Sequence, residues 1–257
     1  MPGTIGDWTR DKLKILEDYL PAYLGATTRA WDRIYVDGFA GPGTNILERE
    51  DRVIDGSPLI ALSARAPNGT KFTHLYFIEK EHDLAAELER KVAERGESGR
   101  VTVICGDVNA ELPKVVHAYH KTAPIFVFLD PYGIDPRWDT IQSIARWKTE
   151  LLINFPFGMA INRNLESPKV TAYFGNDKWQ QLWPPSGRTP IRELLDHYKK
   201  GLVSLGYKYT TPIDRLIKTQ GNTRLYYLVF VSKVDVGARI MNSVLRQPDA
   251  RGQAQLL

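Results

Sequence analysis

The chain has almost no cysteine. Its one thiol, Cys105, excludes an internal disulfide, and its place in an apolar strand-like run predicts a core thiol rather than a nucleophile. Histidine is also scarce: His117 and His120 are three apart, His74 and His82 are isolated, and no further cysteines or carboxylate ladder join them. That pattern predicts no metal site. No apolar run approaches the roughly 20 residues a membrane helix needs, so no membrane span is expected. The first residues, Met1-Pro-Gly-Thr-Ile-Gly-Asp7, lack the charged and apolar regions of a signal peptide. Together these absences predict a cytoplasmic protein. The fingerprint G-x-G-x-x-G and the P-loop's Gly-Lys-Ser/Thr are both missing, as are internal repeats, low-complexity segments and any linker that would split the chain.

What is present is ordinary soluble composition: 257 residues, 43% hydrophobic and 25% charged. That suffices for one α/β domain with a full core. The formal net charge is +4, but it is unevenly spread. From Arg188 onward there are 12 Lys+Arg against 5 Asp+Glu; the first 187 residues carry 22 against 25. A basic C-terminal part on a slightly acidic body suits a phosphate-tracking surface, and equally a solvated face with no partner.

Residues 8–24 repeat apolar side chains at helix spacing through Leu13, Leu16, Leu20 and Leu24, with Pro21 a point where the helix kinks or ends. Ile34 to Val36 is a short apolar β run, followed by three glycines and a proline. Residues 44–55 are polar without a period and read as a loop insertion. Asp55-Gly-Ser-Pro58 then opens a helix, with Ser57 as N-cap and Pro58 at the first helical position. Beyond it, helices alternate with apolar runs ending at Glu79, Cys105, Leu129 and Asn154. Two final strands, separated by Lys218-Thr-Gln-Gly-Asn222, read as a hairpin. The alternation predicts a mostly parallel, doubly wound sheet with helices on both faces. The expected layout is one domain over 1–257. It comprises an N-terminal helix (8–24), a core (34–158), a substrate-covering segment (159–187), a C-terminal helix and hairpin (188–233) and a tail (234–257).

Ligands of open α/β sheets bind outside the carboxyl ends of the strands, and four consecutive strand ends carry polar groups. The first is Asp37-Gly38-Phe39-Ala-Gly41-Pro-Gly43, where bare backbone permits positive φ or close approach to a ligand. Glu79 ends the second, suited to ribose hydroxyls; Asp107 follows the third, suited to an amino group on a ring. Asp130-Pro131-Tyr132-Gly133 ends the fourth. One acidic residue after a strand is normally a turn former or cap; four in register point to a site. A carboxylate beside a backbone carbonyl can accept both hydrogens of an exocyclic amine, which favours pyramidal nitrogen and frees its lone pair. Pro131 stiffens the turn and Tyr132 offers a stacking face. One strand later, Asn154-Phe155-Pro156-Phe157-Gly158 reads either as a substrate-stacking turn or as a turn closing the sheet.

The spacing Asp37-x-Phe39-x-Gly41-x-Gly43 resembles the first motif of S-adenosylmethionine-dependent methyltransferases, especially those acting on base amino groups. Their seven-stranded, Rossmann-like class I sheet with an antiparallel last strand matches the expected layout. Asp130-Pro-Tyr-Gly133 resembles the Asp/Asn-Pro-Pro-aromatic motif of amino-methyltransferases without its second proline. It is closer to the Asp-Pro-aromatic-Gly form of the tRNA guanine-N2 dimethyltransferases, so adenine N6 and guanine N2 both stay open. Taken with Asp55-Gly-Ser-Pro58, Phe77-Ile-Glu79, Gly106-Asp107, Leu152-Ile-Asn-Phe-Pro156 and Ala160-Ile-Asn-Arg163, these phrases resemble the three-Cys-motif partner proteins. That resemblance implies S-adenosylmethionine as cofactor, held by Asp37, Gly38, Phe39, Gly41, Gly43, Ser57, Glu79 and Asp107. The chemistry falls to Asp130, Pro131 and Tyr132. Substrate contacts are expected from Tyr132, Asn154, Phe155, Phe157, Arg163, Arg188 and Arg192. The expected substrate is nucleic acid, RNA favoured for want of a DNA-reading domain. The expected partner is a radical-SAM-like three-cysteine protein. The competing expectations are a non-catalytic subunit supporting that partner, and a small-molecule methyltransferase.

Overall fold

In a computed structural model, described for residues 4–5, 7–47, 52–156, 161, 165–183, 190–210, 215–218 and 224–247, the apolar runs assemble into one large sheet. Its strands are β2 (Ile34–Asp37), β5 (His74–Glu79), β6 (Val101–Cys105), β7 (Ile125–Leu129), β8 (Thr149–Pro156), β9 (Tyr209–Thr210), β10 (Arg215–Lys218) and β11 (Arg224–Ser232). They lie in the order β10-β11-β8-β7-β2-β5-β6, with two-residue β9 paired to β11. From β6 to β8 all pairs are parallel, and β11 is antiparallel to both its neighbours on that path. This is the expected Rossmann-like α/β arrangement, with the order reversing at β2.

Period-two alternation splits the core into two layers. Tyr35, Phe77, Phe126, Phe128, Leu152 and Phe230 face one side. There they meet α1 (Asp7–Ala26), α2 (Ser57–Ser63) and α8 (Asp235–Leu245), a helix inside the stretch assigned to a tail. Ile34, Val36, Val127, Leu129, Ile153 and Phe155 face the other side with α4 (Val108–His117), α5 (Trp138–Ile144), α6 (Pro168–Phe174) and α7 (Ile191–Ser204). α3 (His82–Glu94) joins the first of these faces through Leu88 and Val92, over β5 and β6. α1 continues through Pro21 to Ala26, because Leu20, Tyr23 and Leu24 are all buried on either side of it.

Four sequence expectations are corrected. Residues 44–55 are not a plain loop: β3 (Thr44–Leu47) and β4 (Arg52–Asp55) form an antiparallel hairpin, and β1 (Thr4–Ile5) adds to β3 in parallel. The N-cap of α2 is Gly56, and Ser57 is already helical. Cys105 is exposed, because β6 is an edge strand and this residue closes it. The described part of the supposed cover, 165–183, is not irregular. It forms α6 and a 3-10 turn at Lys178–Leu182, whose Tyr173, Phe174 and Trp179 are buried in the core.

Candidate active site

The parallel register builds the site. Asp37 lies opposite Phe77 of β5 and Phe128 of β7, so Glu79 and Asp130 each stand two residues beyond it. Glu79 pairs with Cys105, the last residue of β6, which puts Asp107 two residues beyond the end of that strand. Leu129 pairs with Ile153, so Asp130 and Asn154 are the next neighbours on adjacent strands. All four predicted strand-end carboxylates therefore sit at the same edge of the sheet.

The glycine loop is shaped by its own backbone and by Glu79. Gly41 and Gly43 have φ of 59° and 81°, the left-handed region that a Cβ disfavours. A Cβ on Gly43 would also lie 2.7 Å from the Leu88 side chain. Glu79 accepts from the Gly41 N–H (2.7 Å) and the Glu81 N–H (2.9 Å), so it fastens the loop while staying partly exposed. Phe39 is half-buried against the core. Asp107 caps α4 by accepting from Asn109 N–H (2.8 Å), and its side chain remains 49% exposed beside Lys80. The open side of the loop thus offers backbone and two reachable carboxylates, which fit a ligand presenting hydroxyls and an amino group.

Asp37 and Ser57 stand differently. Asp37 is wholly buried, accepts from Phe39 N–H (3.2 Å) and Tyr35 Oη (3.2 Å), and is hydrogen-bonded by the Ser57 hydroxyl. Both residues brace the loop from behind. Burial pushes the Asp37 carboxyl up to about 7 against the partly opposing effect of its hydrogen bonds. The folded chain keeps this proton up to about pH 7, whereas the unfolded chain releases it at the ordinary value of 3.8. Stability from this group is therefore lost as pH rises through that window and is level above it. We expect Asp37→Asn to remove the effect. In thermal unfolding, the variant-minus-wild-type stability difference should grow between pH 4 and 7, by on the order of a few kcal/mol. A difference independent of pH would show that Asp37 is ionised throughout.

The turn after β7 carries the most exposed aromatic ring among the described residues and a shared carboxylate. Tyr132 is 98% exposed, while Pro131 is buried beneath it. Asn109 ties this loop down: its amide donates to Asp135 Oδ1 (3.2 Å), and its carbonyl oxygen accepts from Arg137 N–H and Thr140 Oγ1 (both 2.8 Å). Asp130 Oδ1 accepts from the Asn154 amide (2.7 Å). Its Oδ2 accepts from the ammonium of Lys12, with which it forms an ion pair. Asn154, expected among the substrate contacts, is thus brought directly onto Asp130. Sequence reasoning missed Lys12 and Asn109. The signal for Lys12 was its phase: it lies one turn before Leu16 in the buried stripe of α1.

The remaining substrate candidates are not gathered here. Phe155 is 1% exposed and packs against Tyr173 and Tyr198, with ring centroids 6.0 and 5.4 Å apart. It is core, because residues 154–156 belong to β8 and pair with β11 instead of forming a turn. Arg192 is exposed in the first turn of α7. Just past the far end of α7, Tyr207 bonds Thr149 at the start of β8 (2.7 Å), so the first turn of the helix, which carries Arg192, lies toward the carboxyl-end side. Phe157, Arg163 and Arg188 lie outside the described residues. Among the described residues there is no cluster of ligands for a metal and no helix long and apolar enough to cross a membrane.

No family model matches the chain, and no curated protein does either. Solved structures with a similar outline include EvdMO1, at 16% identity and a TM-score of 0.49 over 91% of this chain and 44% of that one. Trm1 from Pyrococcus horikoshii, in complex with S-adenosyl-L-methionine, gives 14% and 0.46 over 95% and 62%. TYW2 from M. jannaschii, in complex with AdoMet, gives 13% and 0.44 over 87% and 74%. The chain thus spans less than two thirds of the first two. At such identities these are resemblances of outline.

Proposed function

We propose that the chain is an S-adenosylmethionine-dependent methyltransferase acting on an exocyclic amino group of a nucleic-acid base, RNA favoured. The observation that carries it is the juxtaposition at one sheet edge of the Glu79-fastened glycine loop and the Asp130–Asn154 pair, with Tyr132 standing free beside them. Two solved structures of similar outline were determined with this cofactor bound, which agrees with the reading. When bound, S-adenosylmethionine supplies an electrophilic methyl group. Glu79 and Asp107 would hold its ribose and adenine ends, with the bare glycine backbone against it. Asp130 would accept hydrogen bonds from the amino group whose nitrogen attacks that methyl, using lone pairs left over from its two present bonds, since an ionised carboxylate has about four. The N–C bond would form as the S–C bond breaks, leaving S-adenosylhomocysteine, and the nitrogen would lose one proton to solvent. Tyr132 would stack on a base that has left its helix or begun single-stranded. Arg192 and the basic C-terminal part would follow phosphates. The resemblance to three-Cys-motif partner proteins adds a radical-SAM-like protein as working partner, on the strength of the sequence phrases alone.

The test is transfer of labelled methyl from S-adenosylmethionine to purified tRNA, rRNA and DNA. Label should enter nucleic acid. Tyr132→Ala should weaken substrate binding by about 1–3 kcal/mol, a stacking platform's worth, and Tyr132→Phe should stay close to wild type because stacking needs no hydroxyl. Label in none of them, with the cofactor bound, would favour a non-catalytic subunit.

A further inference from the structure

We propose that Lys12 is a positioning residue for methyl transfer: from α1, outside the sheet, it fixes one oxygen of the Asp130 carboxylate while Asn154 fixes the other, so that the group is held oriented as an acceptor. This rests on the proposed function, which it deepens.

The placement follows from periodicity. Asp130 continues the face of Phe126 and Phe128, and Asn154 continues that of Leu152, the face that α1 covers. Lys12 precedes Leu16, Tyr19 and Tyr23 on the buried stripe of α1, so its stem runs along that face toward the strand ends. Its side chain is only 9% exposed, and that of Asp130 only 20%. Lysine is almost never this buried unless paired. As a mere anchor for α1 the pair is a poor device, since well-packed apolar residues of similar volume dock helices as well or better. An anchor also has no reason to end on a carboxylate beside the exposed Tyr132.

The surroundings make a cation useful there. Asp37 and Tyr35 from β2 and Tyr132 from the turn face Asp130 electrostatically. Each is neutral or anionic, and Asn154 is neutral. Among the described residues Lys12 supplies the positive charge of this set. An ammonium and an amide are both donors, and a carboxylate can accept from each with one oxygen. Asn154 donates to one oxygen and Lys12 to the other, so the carboxylate plane is held by two elements 118 residues apart in sequence on one side and 24 on the other. The assembly is close to charge-neutral. It therefore suits a neutral, weakly basic amino group better than an ammonium.

The test separates this from both a structural role and failure of the functional reading. The readout that needs no activity is the NMR signal of the Asn154 side-chain amide in labelled protein, assigned with Asn154→Ala. Lys12→Met should shift this signal as the shared carboxylate turns, and Lys12→Arg should leave it near wild type. In methyl transfer, Lys12→Met should lower kcat about tenfold or more with KM for nucleic acid near wild type, and Lys12→Arg should keep most of the rate. The loss should shrink in an Asp130→Asn background, where no carboxylate is left to hold. An unmoved amide signal overturns the proposal, and so does an equal loss in both backgrounds. A raised KM for nucleic acid with a shallower salt dependence and an unmoved amide signal would make Lys12 a phosphate contact instead. If Lys12→Met does not fold, Lys12→Gln against Lys12→Arg carries the same comparison.

Discussion

Asp130→Ala is expected to lower kcat for methyl transfer by on the order of 10²–10⁴-fold, while S-adenosylmethionine affinity stays near wild type. This carboxylate accepts hydrogen bonds from Asn154 and Lys12, whereas the glycine loop is fastened by Glu79. Its interaction with the amino group strengthens as the nitrogen becomes tetrahedral, so its loss falls on the chemical step rather than on binding. Alanine also leaves the Lys12 ammonium and the Asn154 amide without this acceptor, so unfolding must be measured alongside. Asp130→Asn is the sharper variant. It keeps an acceptor oxygen for the Asn154 amide and for the substrate, and partial activity should survive. Full activity in Asp130→Ala on a verified substrate would remove this turn from the mechanism and make Asn154 the next candidate.

Glu79→Ala should weaken S-adenosylmethionine binding by about 1–3 kcal/mol or more, the cost of leaving polar groups unpaired. Two losses combine. The proposed ribose contact goes, and the Gly41 N–H loses the acceptor 2.7 Å away that fastens the loop. Glu79→Gln keeps one acceptor oxygen and should fall between the two. Calorimetric titration measures both, and unchanged affinity in the alanine variant would sink the assignment of this edge to the cofactor.

The sequence shows strand ends well because a central parallel strand is a short apolar run, and Ile125 to Leu129 is wholly buried as its composition requires. The glycine loop is equally plain, since Gly41 and Gly43 do adopt backbone that other residues avoid. What depends on register or long-range packing was hidden. Nothing local says that Asn154 meets Asp130; that needs β7 and β8 to pair as they do. Lys12 meets Asp130 across 118 positions, and a lone lysine in an amphipathic helix ordinarily reads as solvent-facing. Cys105 was misread because an apolar run does not announce that it lies at a sheet edge. Residues 44–55 were misread because two four-residue strands rich in polar side chains have too short a period to detect, and their third strand comes from residues 4–5. Phe155 looked like part of a turn because of Pro156, yet proline at the end of a strand is compatible with pairing.

Nucleoside mass spectrometry of RNA and DNA incubated with the wild-type chain and S-adenosylmethionine tests the central claim most directly. On that claim the expected product is adenine or guanine methylated on its exocyclic nitrogen, and it should be lost with Asp130→Ala. A methyl group on ribose, a ring carbon or a ring nitrogen, or an amino-methylated base that persists undiminished in Asp130→Ala, would contradict it.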